Sequence, residues 1–317
     1  MASHIIAATT NPIVIVGPTA SGKSNLALRC AQHLRHNLGI EVEIVNADSI
    51  QLYNELKILT AYPPDDALSQ VQHHLYGILA PHEISSMNFW FELATAKIQQ
   101  LQRENKVAII CGGTGLYIGA LLNGISNIPS IPPDFRAKVL EKFQQLGRDA
   151  FFELLRDLDP NLCKTLHKNN TQRILRAYEV VSYTQKPLSE WWKEDKEKKK
   201  GCAENISPIV LAPPRDKLRA VCELRLEKMM KAGAIGEVEQ FAKKYPLYSG
   251  SLCNAIGYQE ILSLLEEKSS HQDCLKLMLI KTMQYAKRQS TWFRHQLTNS
   301  KIIPELGQEI KNIEKLF

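Results

Sequence analysis

Residues 12–24 read PIVIVGPTASGKS, an apolar run that leads directly into the pattern G-x-x-x-x-G-K-[ST] at residues 17–24. In such a loop, successive backbone N–H groups and the N-terminus of the following helix converge on an anion, and the lysine adds a point charge. The apolar run predicts a buried strand, and the pattern of residues 24–38 predicts a helix. Because a strand and a helix flank the motif as its function requires, residues 17–24 are predicted to bind phosphate groups.

The alternation of apolar runs and helical patterns predicts the fold. Three further apolar runs read as strands, at residues 41–49, 106–115 and 207–214. Continuous Val/Ile runs with helices between them are typical of a parallel sheet covered on both faces. We therefore predict an α/β protein, a P-loop NTPase-like parallel sheet flanked by helices. Residues 131–204 show only helical patterns and are predicted to form a helical insertion domain within a catalytic core made of residues 1–130 and 205–317.

The composition favours a soluble protein with a large core, since 44% of the 317 residues are hydrophobic. No apolar stretch approaches the ~20 residues that cross a bilayer, and the first residues lack the regions of a signal peptide. We therefore expect a cytoplasmic monomer with no membrane partner. The seven cysteines form no C-x-x-C pair, which indicates reduced thiols rather than a zinc site or disulfides. Cys111, a conceivable catalytic thiol, is interpreted as a core residue.

Charge is distributed unevenly along the chain. Residues 1–130 hold 7 Lys and Arg against 9 Asp and Glu, a net −2, and the whole chain holds 39 against 33, which leaves 32 against 24, or +8, for residues 131–317. A basic second part favours a large polyanionic partner. A solvated basic surface is the alternative interpretation.

The ends of the predicted strands carry the next candidates. Kinases and ATPases with this loop hold Mg²⁺ with an Asp that ends a later strand. Here VAIIC is followed by GGTG, and the hydroxyl of Thr114 stands where that Asp is expected. Asp48, in VNADS, lies at the carboxyl end of a strand, where ligands of such sheets bind. Asp48 is the candidate general base, and a helix N-cap or an Mg²⁺ ligand are its alternatives.

Basic and aromatic residues suggest a nucleic-acid surface. Residues 281–297 read as a helix with one face that mixes charge and flat rings, formed by Lys281, Tyr285, Arg288, Trp292 and His295. Such a face suits phosphate contacts and base stacking, although the rings could instead lie in the core. Residues 169–181 place Arg173 and Arg176 on one face of another helix. His73 and His74 are adjacent, which is poor geometry for binding one metal, so they are interpreted as structural or orienting residues.

Taken in this order, these stretches resemble the tRNA dimethylallyltransferase family, also called tRNA isopentenyltransferases. The matching motifs span residues 13–294 and are GPTASGKS, NADSIQLY, HHL, CGGTGLYI, QRILRAYEV, MMKAGAIGEVEQF, NAIGYQE and YAKRQSTWFR. The phosphate loop alone is generic. Its occurrence together with the DSxQ, GGTGLY and KRQxTWFR elements is highly specific.

The resemblance implies that a dimethylallyl group passes from dimethylallyl diphosphate to N6 of the adenine on the 3′ side of the anticodon in tRNA. Diphosphate leaves with the help of Mg²⁺, which Ser24 would bind. The loop would then hold a leaving group rather than ATP, which explains the missing second Asp. In this family Asp48 would be the base, Thr114 would position it or the diphosphate, and Lys23 would stabilise the departing charge.

The family also implies a set of binding residues. Those expected to bind diphosphate are Gly17, Pro18, Thr19, Ala20, Ser21, Gly22, Lys23, Ser24 and Arg225. Those expected at the flipped adenine are Asp48, Ser49, Ile50, Gln51 and Thr114. Those expected to contact the rest of the tRNA anticodon stem-loop are Arg136, Gln172, Arg173, Ile174, Leu175, Arg176, Asn254, Ala255, Ile256, Gly257, Tyr258, Gln259, Lys287, Arg288, Gln289, Ser290, Thr291, Trp292, Phe293 and Arg294.

The chain departs from the family pattern at a few positions. Residues 59–63 read LTAYP where the family pattern is GTAKP, so Leu59 occupies the position of a glycine and Tyr62 that of a lysine. Val221 occupies a position at which the family often has an arginine, and Gln259 occupies one at which it has a basic residue. Affinity for phosphate or tRNA is therefore expected to be weaker or differently arranged.

Three other functions stay open at this point. A P-loop small-molecule kinase would need a carboxylate after VAIIC, which is absent. An adenine-nucleotide isopentenyltransferase would not need the basic second part or the insertion. A non-catalytic RNA-binding protein would leave the intact phosphate loop and Asp48 unexplained.

Overall fold

The computed structural model describes residues 11–198 and 206–316, the side chains of 195–198 excepted. The chain forms two compact units, one made of Met1–Leu122 with Cys202–Phe317 and the other of Asn123–Gly201. The sequence placed the limits of the second unit at residues 131 and 204. None of the helices in the described part is long and apolar enough to cross a membrane.

A six-stranded sheet forms the centre of the first unit, and all its neighbouring strands are parallel, in the order β3-β2-β4-β1-β5-β6. The strands are β1 (Ile13–Val16), β2 (Val42–Asn46), β3 (His73–His74), β4 (Val107–Gly112), β5 (Ile209–Leu211) and β6 (Lys301–Ile303). The predicted parallel sheet flanked by helices is thereby confirmed. Two short edge strands, β3 and β6, were not predicted.

The described residues also form twelve α-helices. In chain order these are α1 (Lys23–Leu38), α2 (Asp65–Gln70), α3 (Met87–Arg103), α4 (Gly115–Asn123), α5 (Pro133–Leu158), α6 (Pro160–Cys163), α7 (Thr171–Thr184), α8 (Leu188–Lys198), α9 (Arg215–Lys231), α10 (Ala234–Lys244), α11 (Tyr258–Leu265) and α12 (His271–Gln296). Side-chain caps fix several starts: the Ser86 and Ser270 hydroxyls accept from the N–H groups of Phe89 and Asp273. Helix α5 is kinked at Gly147, whose φ is 74°.

The first unit buries both faces of its sheet. Alternate residues of one strand point to opposite faces, so Val14 and Val16 join the core formed with α3 and α4, while Ile15 joins the core formed with α1. The second unit has a core of its own among α5, α6, α7 and α8, centred on Phe151 and Ile174. Within the first unit, this arrangement brings the ends of β1, β2 and β4 together at one edge of the sheet.

Candidate active site

The phosphate loop joins β1 to α1, as the sequence predicts. Gly22 has a φ of 83°, a value that favours glycine. Within the described residues, nothing accepts a hydrogen bond from the backbone N–H groups of Ala20, Gly22, Lys23 or Ser24. Free amides at a helix N-terminus are the donors that such a loop offers to phosphate oxygens.

Two cations serve this loop. Burial lowers the pKa of the Lys23 ammonium below its usual value; Arg225 acts in the same direction, whereas Cys111 and Asp48 oppose it. Burial also lowers the pKa of Arg225, although a guanidinium stays charged at neutral pH. Nη1 of Arg225 donates to Oγ1 of Thr19 at 3.1 Å. Both charges therefore lie at the loop in partly desolvated surroundings, where attraction to an anion is strong.

Asp48 directly follows β2, held by a network of backbone contacts. The side chain of Asn46, which is fully buried, accepts from the Asp48 N–H at 2.8 Å and donates to the Asp48 carbonyl at 2.9 Å. Oδ1 of Asp48 accepts from the N–H of Ile50 at 3.1 Å, and no described residue donates to Oδ2. Asp48 thus caps a turn rather than a helix, and one carboxylate oxygen is left to meet a ligand.

The GGTG segment after β4 packs closely against the Asp48 loop. Thr114 donates its N–H to the carbonyl of Ala47 at 3.1 Å, and its hydroxyl accepts from the Ser49 N–H at 3.0 Å. A Cβ on Gly112 would lie 2.2 Å from the carbonyl carbon and oxygen of Ala47, so only glycine allows this approach. Thr114 therefore orients the turn that carries Asp48.

One pocket of about 1290 Å³ is lined by the phosphate loop, Asp48, Gly112 and Arg225. Its charged and polar lining includes Lys23, Asp48, Lys57, Arg225 and Arg288. Its apolar lining includes Ile50, Val221, Met229 and Ile256. The cavity can thus accommodate a ligand with an anionic part and an apolar part.

The loop at residues 56–63 forms a wall of this pocket. Nε2 of Gln51 donates to the carbonyls of Thr60 and Ala61 at 3.0 and 2.8 Å. Tyr62 meets Tyr76 edge to face, with ring centroids 5.7 Å apart, and Nζ of Lys57 lies 5.0 Å from the Tyr62 ring centroid. Where the family pattern has a lysine, this chain therefore has an aromatic wall with a different lysine beside it.

Comparisons with known proteins identify the family. The model of the IPP transferase family matches residues 51–296, and a tRNA dimethylallyltransferase of Pelagibacter ubique is 39% identical over 305 residues, 96% of this chain and 95% of the relative. The chain belongs to the IPP transferase family. A solved tRNA isopentenylpyrophosphate transferase of Bacillus halodurans superposes with a TM-score of 0.66 at 27% identity, covering 96% of this chain and 93% of its own. A eukaryotic dimethylallyltransferase solved acting on tRNA gives 0.80 at 26% identity, covering 92% and 73%.

The other candidate sites of the sequence have structural explanations. His74 and Lys106 both bind the carboxylate of Glu43, at 2.5 and 2.8 Å, and Nδ1 of His73 lies 2.7 Å from the Val71 carbonyl oxygen. The described residues contain no group of three His, Cys, Asp or Glu side chains that could hold a metal ion. Burial raises the pKa of the Cys111 thiol to about 11, so this thiol is protonated at neutral pH.

Several predicted tRNA-binding residues are exposed, and their contacts remain predictions. These residues are Arg136, Gln172, Arg173, Asn254, Gln259, Lys287, Arg288, Thr291 and Arg294. Leu175, Arg176 and Ser290 are half-buried. The family motifs thus combine accessible polar residues with residues that face inward.

The inward-facing members of the set have packing contacts, and their predicted contact with tRNA stays a prediction. The side chains of Ile174 and Phe293 are 0% and 2% exposed in the cores of their units, and Ala255 and Tyr258 are buried as well. Trp292 lies against α4, since a Cβ on Gly115 would be 2.5 Å from its ring. Ile174, Phe293 and Tyr258 are therefore core residues, whereas Ala255 also lines the pocket.

The predicted charged and aromatic face of α12 is likewise divided. Tyr285 lines the pocket, and burial raises its pKa. Lys281 forms an ion pair with the buried Glu260, which also accepts from the Gly257 N–H at 2.8 Å. Only His295 and Arg288 of this face are exposed and without such a partner among the described residues.

Two features of the site were missed from the sequence. Gln289, predicted to contact tRNA, is buried and binds both the phosphate loop and the GGTG segment. The segment after β6 covers the loop, with the N–H of Gly307 donating to the Ser21 carbonyl at 2.8 Å, and Arg29 holds it by donating to the carbonyls of Gly307 and Ile310. Neither contact has a local signal, because each joins residues that are far apart in the chain.

Proposed function

We propose that this protein transfers the dimethylallyl group of dimethylallyl diphosphate to N6 of the adenine 3′ of the anticodon in tRNA. The observation that carries the proposal is one pocket lined by Lys23, Arg225 and Asp48, together with a strand β4 that ends without a carboxylate. The names of the similar proteins, tRNA dimethylallyltransferase and tRNA isopentenylpyrophosphate transferase, support the same reaction.

In the proposed reaction, one group of residues acts on the attacking adenine and another acts on the departing diphosphate. The bond from N6 to the allylic carbon forms as the bond from that carbon to the diphosphate oxygen breaks, and Asp48 takes the proton from N6. A positioned carboxylate contributes about 10²–10⁴-fold to such a step. Lys23, Arg225 and the free loop amides stabilise the charge that collects on diphosphate. The apolar lining receives the prenyl chain.

The adenine must leave its stack to enter the pocket. Flipping costs a few kcal/mol in a duplex and less in a single-stranded loop, which suits an anticodon loop. The exposed basic residues Arg173, Lys287 and Arg294 supply phosphate contacts. A tRNA substrate also agrees with a cytoplasmic location.

Mg²⁺ is the metal that we propose for this site. Ser24 is an exposed residue at the start of α1, and its hydroxyl together with the free amides beside it would fit a Mg²⁺–diphosphate complex. Mg²⁺ commonly keeps several waters and binds through few protein groups plus phosphate oxygens. When bound, Mg²⁺ neutralises part of the diphosphate charge.

The test is incubation of the protein and Mg²⁺ with radiolabelled dimethylallyl diphosphate and unmodified tRNA, AMP or no acceptor, with Lys23→Met as the inactive control. We expect label in tRNA only, at an adenine next to the anticodon. Label in AMP but not tRNA would instead identify an adenine-nucleotide isopentenyltransferase. ATP turnover without prenyl transfer would identify a kinase.

A further inference from the structure

One backbone donor of the phosphate loop is occupied by a side chain from a distant part of the chain. The N–H of Thr19 donates to Oε1 of Gln289 at 2.8 Å. The Thr19 hydroxyl accepts from Arg225 at 3.1 Å, so the main chain and the side chain of this residue are both engaged. Thr19 therefore differs from Ala20, Gly22, Lys23 and Ser24, whose N–H groups have no partner in the described structure.

The carboxamide of Gln289 is fixed in this orientation. Its Nε2 donates to the carbonyl of Gly113 at 2.9 Å, which leaves Oε1 to face Thr19. The residue is 5% exposed, and a Cβ on Gly113 would lie 2.3 Å from Nε2. The carbonyl oxygen of Gln289 thus has little freedom to turn away from the loop.

A carbonyl oxygen at this position closes one end of the anion site. A phosphate oxygen and an amide oxygen compete for the same N–H, and the partial negative charge of Oε1 repels a second anionic oxygen nearby. Beyond Thr19, the Ser21 N–H donates to the Pro18 carbonyl at 3.2 Å, and the N–H groups of Ala20, Gly22, Lys23 and Ser24 are free among the described residues. The loop therefore offers its donors to a short polyphosphate.

We propose that Gln289 is a specificity-determining residue that restricts the loop to diphosphate and excludes a third phosphate. This inference rests on the proposed function, in which the loop holds the diphosphate of a prenyl donor. Gln289 acts through Thr19 and is therefore a positioning residue rather than a catalytic one. It also gives a reason why a loop with the sequence of an NTPase would serve a prenyl donor.

The test measures the affinities of inorganic diphosphate and inorganic tripolyphosphate by calorimetry at constant free Mg²⁺. The variants are Gln289→Ala, which frees the Thr19 N–H, and Gly113→Ala, which displaces the carboxamide by a different route. Gln284→Ala is the matched control, since Gln284 is an exposed glutamine of the same helix. Thermal unfolding of each variant establishes that it is folded.

We expect the wild type to prefer diphosphate, and both Gln289→Ala and Gly113→Ala to shift the affinity ratio toward tripolyphosphate by about tenfold or more, the value of one hydrogen bond to a charged group. Gln284→Ala should leave the ratio unchanged. A purely structural role for Gln289 would weaken both anions equally, and an unchanged ratio in folded variants overturns the proposal.

The wild type alone gives an independent result. Equal affinity for the two anions also overturns the inference while leaving the proposed function intact. Failure of the wild type to bind diphosphate at all contradicts the proposed function itself.

Discussion

Replacement of Asp48 by asparagine removes the proposed base while preserving the turn around it. The asparagine carbonyl can still accept the Ile50 N–H that Oδ1 accepts at 3.1 Å, and the contacts of Asn46 with the Asp48 backbone do not involve the changed group. We therefore expect normal folding and tRNA affinity for Asp48→Asn, with the rate of transfer reduced by about 10²–10⁴-fold. Asp48→Ala should show the same loss of rate and, in addition, about 1 kcal/mol less stability from the missing hydrogen bond.

Single-turnover transfer from labelled dimethylallyl diphosphate to an anticodon stem-loop separates these effects, because it measures the chemical step when protein is in excess. Filter binding of the same RNA gives the affinity, and urea unfolding gives the stability. The reasoning is refuted if Asp48→Asn keeps its single-turnover rate and loses RNA affinity. That result would make Asp48 a binding residue for the adenine rather than its base.

Three further predictions follow from the geometry. Burial lowers the pKa of Lys23 below 10.5, so this side chain loses its charge as pH rises through the lowered value. Diphosphate affinity, measured by calorimetry, should fall over that range, and the stability of the ligand-free protein, measured by urea unfolding, should rise. Lys23→Arg should move the loss of affinity to higher pH. Gly112→Ala places a Cβ 2.2 Å from a backbone carbonyl and should cost at least about 1–3 kcal/mol of unfolding free energy, whereas Gly236→Ala, in a helix with nothing within 4 Å, should cost nothing in the same urea titration. Gln51→Leu removes two hydrogen bonds to the loop at residues 56–63, so limited proteolysis should cut that loop faster than in the wild type.

The strands that are buried on both faces of the sheet could be predicted from the sequence. Strands β1 and β5 consist of Val, Ile and Leu alone, and β2 and β4 are rich in Val and Ile, with most residues of all four strands buried. Such runs are typical of strands that are covered on both faces. The edge strands are different because their sequences are not apolar throughout. His73–His74 pairs with Ile44 and Val45, and Lys301–Ile303 pairs with β5, so a neighbouring strand rather than local sequence makes them strands.

The site divides in the same way between local and long-range determinants. Lys23 and Asp48 could be located because a loop motif and the end of an apolar run mark them in the chain. The binding of Gln289 to Thr19 joins residues 270 positions apart, so no window of sequence contains it. The family resemblance implied tRNA contact for Gln289 together with the rest of residues 287–294, whereas the fold turns the Gln289 side chain inward.

Helical periodicity explains how the KRQxTWFR motif supplies both buried residues that pack in the core and exposed residues that carry charge. Ala286, Gln289 and Phe293 follow a spacing of three and four residues and are all buried, whereas Lys287 and Arg294 are seven residues apart on the exposed side. The inner side fixes the phosphate loop through Thr19, and the outer side presents charge to solvent. A single helix thus connects the geometry of the anion site to a surface suited to RNA, because both depend on how α12 is rotated about its axis.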